Sequence, residues 1–325
     1  MKKYLKHILI ALICFLLIVV INFALPRLLP GNPIGYLTGF EEEGMSQEKY
    51  NFYYHALHLN ENIFVQFKYY LISLFDGSLG YSFKKETVVS SLIGERIGYS
   101  LQITLPAIII SIILGLIWGI NCGYKKNKRL DKVSTPLLII QNAIPSFMIA
   151  LILVIVCCFK NKWFPYMGLT SGDYIEGTSA YFWDRIYHLI LPITTLVVAS
   201  LPARFLLVRN ISAKFADDKS ILYAKQRGLN DTKIKYKYLL PNIAQPFITM
   251  VGASIGSCVG GSIIVENVFS INGVGNLLNE AVYTLDYPLM QGLLFVTTFI
   301  MIICVILSDI VCIIIDPRVR KENAV

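Results

Sequence analysis

Side chains able to bind a partner are concentrated in the hydrophilic stretch between residues 209 and 240. Within it, Ala224 and Gly228 stand four residues apart. In a helix this spacing puts both residues on one face, where small side chains let another backbone approach closely. Basic residues around the pair offer charge to an acidic partner or to phosphate: Lys225, Arg227, Lys233, Lys235 and Lys237. The stretch is therefore predicted to dock a partner, against the alternative of a helix packed only on its own chain.

Catalytic and metal-binding patterns give no support for an enzyme. The sequence has no GxxxxGK[ST] phosphate loop, so the chain cannot itself be an ATPase of the usual P-loop type, and it has no HExxH. The seven cysteines lie in or at the end of hydrophobic runs, where cysteine behaves as a small apolar residue. The four histidines show no metal-ligand spacing with them. We expect no enzymatic activity, no disulfide framework and no bound metal or cofactor.

Three ionisable residues in or beside apolar runs are further candidates. Asp309 is flanked by apolar residues, and ionisable groups inside membranes often carry function. A lone acid makes a poor proton relay, so we expect Asp309 to pair with Arg318 or water near one membrane face. Glu266 and Arg204 lie near the ends of apolar runs, and we expect them at the interface rather than lining a pathway.

The composition indicates an integral membrane protein. Of the 325 residues, 55% are hydrophobic and 15% are charged, against about 25% charged in soluble domains. The net charge of +8 lies mostly in short segments between hydrophobic runs, without a basic stripe on a soluble domain. Nucleic-acid binding is therefore not expected.

Six apolar runs are long enough to cross a hydrocarbon layer of about 30 Å: residues 8–25, 98–122, 133–159, 186–207, 241–268 and 289–315. Lys2, Lys3 and Lys6 before the first run also fit a signal peptide. That run is longer than a usual signal-peptide core, however, and Ala24-Leu25-Pro26 is a poor cleavage site. We expect an uncleaved first span.

The basic residues predict the orientation. Of the 29 Lys and Arg residues, twenty lie at the N-terminus, in segments 123–132 and 204–240, and in the C-terminal tail. Positive charge favours the cytoplasmic side, so both termini and both of these loops are predicted to be cytoplasmic. The longest external loop, 26–97, carries Phe64, Phe67, Leu71 and Leu74 at helical spacing, which predicts an amphipathic helix that ends in the turn at 76–80.

Small residues and prolines mark the spans. Gly252, Gly256, Gly260 and Gly261 place small residues on one face of the fifth span. This face either packs closely, within the chain or against a second subunit, or lines a pathway. Prolines at 106, 145, 192 and 202 interrupt spans, as membrane helices that bend or line cavities tolerate.

The docking segment resembles the EAA loop of ABC importer permeases. That family motif reads Glu-Ala-Ala, three residues, Gly, five residues, Ile, three residues, His, one residue and Leu-Pro. The matching positions are Ala224, Gly228, Ile234, Leu240 and Pro241. The departures are Leu222, Tyr223 and Tyr238, at the positions of the family's Glu, first Ala and His. The peptide/nickel branch of the family often lacks that Glu.

Further stretches resemble the same branch, the inner-membrane permeases of dipeptide, oligopeptide and nickel importers. In chain order they are residues 28–33 (LLPGNP), 77–82 (GSLGYS), 144–147 (IPSF), 266–275 (ENVFSINGVG), 286–292 (DYPLMQG) and 316–320 (DPRVR). Each match alone is weak, but the ordered set is specific.

The resemblance implies an all-α polytopic membrane protein of about six transmembrane helices with the type I ABC importer permease fold. In that family the EAA loop forms a short coupling helix that docks into a groove on a cytoplasmic ATPase subunit. Here the small residues would permit close contact, with Leu229 and Ile234 as apolar anchors. The residues so assigned to ATPase coupling are Ala224, Gly228, Leu229, Ile234, Leu240 and Pro241.

The resemblance also implies partners. They are a second permease subunit, two cytoplasmic ATPase subunits that bind ATP and Mg²⁺, and an external substrate-binding protein, all at the inner (plasma) membrane of a prokaryote. Peptides are the preferred cargo, with nickel or another metal chelate left open. An ATP-independent secondary transporter is disfavoured by the lack of a clear internal repeat and of midplane charges. A membrane-anchored enzyme is disfavoured by the missing catalytic cluster.

The predicted organisation has four parts. Residues 1–25 form the first span and residues 26–97 the external loop. Residues 98–316 form a five-helix permease core that contains the cytoplasmic loop 209–240, and residues 317–325 form a cytoplasmic tail.

Overall fold

A computed structural model describes residues 2–28, 34–35, 46–126 and 128–315. The sequence match at 316–320, the proposed Asp309 partner Arg318 and most of the match at 28–33 lie outside these residues. The described helices are α1 (Lys2–Leu28), α2 (Gln47–Ala56), α3 (Ile63–Phe75), α4 (Val89–Tyr124), α5 (Arg129–Asn142), α6 (Ser146–Leu153), α7 (Ser179–Phe215), α8 (Lys219–Gln226), α9 (Asp231–Lys233), α10 (Leu240–Cys258), α11 (Ile263–Val268), α12 (Val274–Tyr283) and α13 (Tyr287–Ile315).

Two further helical segments have π geometry, Val154–Lys160 after α6 and Ile234–Leu239 before α10. Strands β1 (Tyr81–Ser82) and β2 (Thr87–Val88) form a short antiparallel pair, with Tyr81 opposite Val88. The chain is therefore an all-α polytopic membrane protein, as predicted.

The predicted spans are helical, but two of them are broken. By length and composition α4, α7 and residues Tyr287–Cys312 of α13 can each cross a membrane. A fourth crossing is possible if α5 and Ser146–Lys160 count as one span with a 100° bend. Pro145 lies at that bend and cannot donate a backbone hydrogen bond. Helix α1 contains the predicted first span, the apolar run at residues 8–25.

The expected continuous span over 241–268 is also wrong. Helix α10 ends at Cys258, and α11 starts only at Ile263. Between them Gly261 has a φ of +66°, which takes the backbone out of the helical region. The chain turns there, so α11 packs on α6 and α7, and α12 packs on α4.

Helices α4 and α7 form the most extensive pair in the molecule. Gly115, Gly119 and Gly123 recur at every fourth residue of α4 and face Arg204, Val208 and Ser212 of α7. A Cβ atom at Gly115 would lie 2.8 Å from the Arg204 Cβ atom, and one at Gly119 would lie 2.8 Å from the Val208 Cβ atom. Only glycine lets the two backbones approach this closely. This spacing is visible in the sequence, but its role was not predicted.

Glycines also bring α10 against α13. A Cβ atom at Gly256 would lie 2.7 Å from the Met301 Cα atom, and one at Gly252 would clash with Ser308. Of the alternatives left open for these two residues, the structure therefore shows close packing within the chain. Gly260 lies near Thr297, and Gly261 lies at the break.

Segment 26–97 contains the predicted amphipathic helix as α3. Leu74 is buried with Val19 and Phe295, and Phe67 and Leu71 pack against this group. Phe64 does not share that face, because its side chain is 79% exposed. The predicted turn follows, where the Ser78 amide donates to the Asp76 carboxylate at 2.8 Å.

Glu266 and Arg204 are buried among helices, and their expected depth near the membrane interface stays a prediction. Glu266 is fully buried, and its carboxylate accepts hydrogen bonds from the Ser100 hydroxyl (2.8 Å) and the amides of Ser262 (3.0 Å) and Asn276 (2.9 Å). Arg204 is 7% exposed and donates to the Ser200 carbonyl and the Ser254 hydroxyl, both at 3.2 Å. Both groups lie in the interior because neighbouring helices supply polar partners there. Asp309 is half-buried, and its pairing with Arg318 stays a prediction.

Candidate functional site

Helix α8 carries the centre of the predicted docking segment. Asp218 caps its start, with the carboxylate accepting from the Ser220 amide at 3.2 Å. At the other end the Gly228 amide donates to the Lys225 carbonyl (2.9 Å) and the Leu229 amide to the Ala224 carbonyl (3.2 Å). These two bonds form a Schellman motif, which fixes where the helix stops.

Gly228 therefore has a different position from the one expected. It lies after the helix end, with a φ of +71° and no atom within 4 Å of an added Cβ. Ala224 and Gly228 consequently do not share a helical face, although they are four residues apart. Gly228 supplies the left-handed conformation that ends α8.

Several of the assigned coupling residues face the chain's own interior. Ala224 is 2% exposed and Ile234 is fully buried, in one cluster with Tyr124 and Val208. Leu229 and Leu240 are half-buried against that cluster, whereas Pro241 is exposed at the start of α10. Ala224 and Ile234 thus seat the segment on α4 and α7, and their side chains are not available as direct anchors for a partner.

The outward face of α8 carries two apolar residues at positions where the sequence departs from the motif. Leu222 is 51% exposed and Tyr223 is 59% exposed. They occupy the two motif positions before Ala224. Because Ile221 and Ala224 are buried, the helical period alone puts Leu222 and Tyr223 on the opposite side.

The end of α4 holds the docking segment on both sides of α8. The Lys126 ammonium pairs with Asp217, just before α8. The Lys125 ammonium lies 3.1 Å from Asp231, just after α8, and the Tyr124 hydroxyl donates to the same carboxylate at 2.8 Å. These hydrogen bonds hold the pKa of Asp231 below its usual value, and the bond from Lys126 lowers the pKa of Asp217.

Two of the basic residues predicted to meet a partner are already engaged within the chain. The ammonium groups of Lys225 and Lys235 lie 4.9 and 5.4 Å from the centre of the Tyr124 ring. Lys235 also donates to the Asn121 side chain at 2.7 Å. Arg227, Lys233 and Lys237 are exposed, so they are the positive charges on the open surface of the segment.

A bidentate ion pair joins the C-terminal part of α7 and the start of α5. Arg209 donates to the Asp131 carboxylate through Nε (2.8 Å) and Nη2 (2.7 Å), and Thr135 donates to the same carboxylate at 2.9 Å. Asp131 is 3% exposed. The pair fixes α5 against α7 beside the docking segment.

Other chemical patterns do not form sites. Residues 252–256 match the GxSxG pattern of hydrolases, but they lie inside helix α10, not on a strand-to-helix turn. The Ser254 hydroxyl there donates to the Met250 carbonyl at 2.8 Å. Within the described ranges, no three His, Cys, Asp or Glu side chains are grouped as a metal ion would require.

Comparison with known proteins gives a consistent set of relatives. Residues 111–321 match the model of the family described as binding-protein-dependent transport system inner membrane component. The chain is 28% identical to the oligopeptide transport system permease protein AppB of Bacillus subtilis, over 93% of this chain and 94% of that protein. It is 28% identical to the dipeptide transport system permease protein DppB of the same organism, over 95% and 94%. It is 30% identical to a putative peptide permease protein of Brucella suis, over 98% and 99%.

Proposed function

We propose that the chain, which belongs to the family of binding-protein-dependent transport system inner membrane components, forms half of the peptide pathway in an ATP-driven importer. Its relatives are named for oligopeptide, dipeptide and peptide transport, and this supports peptides as cargo. The observation that carries the coupling role is the apolar face of α8, which is exposed on a helix held firmly at both ends.

The contacts support different roles for different residues of the docking segment (209–240), which is called the coupling segment from here on. Leu222 and Tyr223 contact the ATPase, while Ala224 and Ile234 seat the segment on α4 and α7. Gly228 ends the helix, and Leu229, Leu240 and Pro241 lead the chain back into α10. A displacement of α8 by the ATPase therefore reaches α4 through Tyr124, Lys125 and Lys126.

Hydrolysis of ATP takes place on partner subunits in this proposal. Two cytoplasmic ATPase subunits bind ATP and Mg²⁺, a second permease completes the pathway, and an external binding protein delivers the cargo. The chain itself needs no cofactor. Both termini and segment 209–240 face the cytoplasm, as the distribution of Lys and Arg favours. Residues 98–316 form the five-helix core after the first span and the external loop 26–97.

The test uses Leu222→Lys in the assembled transporter, because glutamate at this position would restore the motif residue. Leu222 is 51% exposed, so a lysine can keep its charge in solvent in the chain alone, but this charge opposes burial in an apolar groove. We expect unchanged abundance in the membrane, loss of most ATPase copurification, and loss of peptide uptake. Ile175→Lys is the matched control, because Ile175 is 79% exposed and lies in the loop before α7, far along the chain from α8.

Normal uptake and normal ATPase binding by the Leu222→Lys variant would reject the role of α8. Equal loss in the Ile175→Lys variant would show that the effect is not specific to this face.

A further inference from the structure

An open cavity of about 650 Å³ lies between the first turns of α4 and α7 and two loops. Its lining includes Arg96 and Tyr99 of α4, Tyr181 and Arg185 of α7, and Asn272 of the loop before α12. This volume is within the range of about 300–1,000 Å³ of pockets that take small ligands. The cavity carries two guanidinium groups and aromatic rings, which is an unusual lining for a membrane-protein surface.

The cavity lies at the opposite end of the helices from the coupling segment. Tyr99 is 25 residues before Tyr124 on α4, which at about 1.5 Å per residue is about 37 Å. That length exceeds the hydrocarbon thickness of about 30 Å. Helix α7 also runs from the cavity at Arg185 to the coupling segment beyond Phe215. With the coupling segment in the cytoplasm, the cavity is therefore at the external mouth of the chain.

Arg185 is held in a fixed orientation in this cavity. Its Nε donates to the Gln102 side chain at 2.7 Å, and its Nη1 donates to the Tyr181 hydroxyl at 2.9 Å. The guanidinium carbon lies 5.9 Å from the ring centres of both Tyr99 and Tyr181. These contacts use two of its five N–H groups, so donors remain for a ligand.

Arg96 faces the same cavity and is also only partly engaged. Its Nη1 donates to the Asn272 carbonyl at 3.3 Å. Among the described residues, neither Arg96 nor Arg185 forms an ion pair, although Glu95 lines the same cavity. A carboxylate can accept two parallel N–H hydrogen bonds from one guanidinium group. Two guanidinium groups without an acidic partner are therefore well placed to bind a carboxylate.

Buried hydrogen bonds hold the loop that carries Asn272 against α4. The Ser100 hydroxyl donates to the buried Glu266 carboxylate and accepts from the Val274 amide at 2.7 Å. Glu266 also accepts from the Asn276 amide. The loop that carries Asn272 is therefore fixed to α4 one residue after Tyr99. This preorganisation reduces the entropy cost of binding a ligand there.

We propose that this cavity is a carboxylate subsite that receives the free carboxylate of the cargo as it leaves the external binding protein. The proposal rests on the proposed function as a peptide permease. Arg96 and Arg185 bind the carboxylate, and Tyr99 and Tyr181 orient the guanidinium of Arg185. The subsite favours cargo that carries a carboxylate over a free metal cation, which the two arginines repel.

The test is peptide uptake by the complete transporter in vesicles, with the loaded binding protein as the varied component. Arg96→Gln, Arg185→Gln and the double variant are compared with Arg96→Lys and Arg185→Lys. Because docking of the binding protein sets KM and transfer of cargo contributes to kcat, we expect kcat to fall about tenfold in each Gln variant and further in the double variant. KM for the loaded binding protein should stay unchanged, and the Lys variants should recover part of kcat.

Lys160→Gln is the matched control, since Lys160 is an exposed cation after α6 that does not line the cavity; its kcat should equal that of the wild-type chain. Arg96→Gln removes only one internal bond, so it tests the proposal even if Arg185→Gln lowers abundance. An unchanged kcat in Arg96→Gln and in Arg185→Lys would overturn the proposal.

A rise in KM with unchanged kcat would also overturn it, because the arginines would then bind an acidic side chain of the binding protein. Absence of ATP-dependent peptide uptake by the wild-type transporter would instead reject the proposed function.

Discussion

Replacing Arg209 by methionine tests how firmly α5 is held beside the coupling segment. Arg209 makes two hydrogen bonds to Asp131, at 2.7 and 2.8 Å. Methionine keeps much of the side-chain length but removes the positive charge. Asp131, at 3% exposure, would then lose its two hydrogen bonds from Arg209 and keep that from the Thr135 hydroxyl.

The expected cost differs between the two partners of the pair. Removing one member of a buried ion pair costs about 3–5 kcal/mol when the other charge stays buried. Arg209→Met leaves Asp131 in that situation. Asp131→Asn leaves Arg209, whose side chain is 22% exposed and can reach water, so its cost is expected at about 1.5–3 kcal/mol. The double variant should cost less than the sum of the two single variants.

Cys122 provides the assay. It is 1% exposed and packs with Leu138 of α5 and Phe205 of α7, so it becomes reactive when these helices separate. A loss of about 3 kcal/mol should raise its maleimide labelling rate by about two orders of magnitude. Cys157 lies in a different cluster and should keep its wild-type rate. The reasoning fails if Asp131→Asn accelerates Cys122 labelling as much as Arg209→Met, or if Cys157 accelerates equally.

Two further substitutions test close packing and the buried carboxylate. In Gly123→Ala the new Cβ would clash with Ser212, so α4 and α7 must separate at a cost of about 1–3 kcal/mol. The thermal stability of this variant in detergent should therefore fall. Gly94→Ala has open space around its new Cβ, and its thermal stability should match that of the wild-type chain. Glu266→Ala leaves the partly buried amides of Ser262 and Asn276 without their acceptor, at about 1 kcal/mol each. Hydrogen exchange in α12 should accelerate strongly in that variant and less in Glu266→Gln, which keeps one acceptor; equal rates in both would contradict the role of the carboxylate.

The spans and the coupling segment could be predicted from sequence because their signals are local. Long apolar runs place helices within a few residues, and the order of family motifs identifies the permease. In the sequence, Pro145 and Gly261 appear only as a proline and a glycine within apolar runs, and this does not predict that the helices break there. Whether such residues bend a helix or end it depends on what packs beside them, and for Gly261 this is the carboxylate of Glu266.

Pairings between distant residues could not be predicted. Glu266 meets Ser100, 166 residues away, and Arg209 meets Asp131, 78 residues away. The four-residue spacing of Ala224 and Gly228 also gave a wrong prediction, because this spacing places two residues on one face only while the helix continues. Which side of α8 faces outward was decided by the hydrophobic cluster on α4 and α7, which the motif does not encode.

Helix α4 is one uninterrupted α-helix from Val89 to Tyr124, and it touches both the cavity and the coupling segment. Its ends therefore cannot move independently. If α4 tilted by about 5° around its Tyr124 end, Tyr99 would be displaced by about 3 Å, given the rise of about 1.5 Å per residue. A displacement of that size is comparable to the length of a hydrogen bond. A small rotation of α4 about its Tyr124 end is thus sufficient to make or break the contacts of a carboxylate bound in the cavity at the other end of the helix.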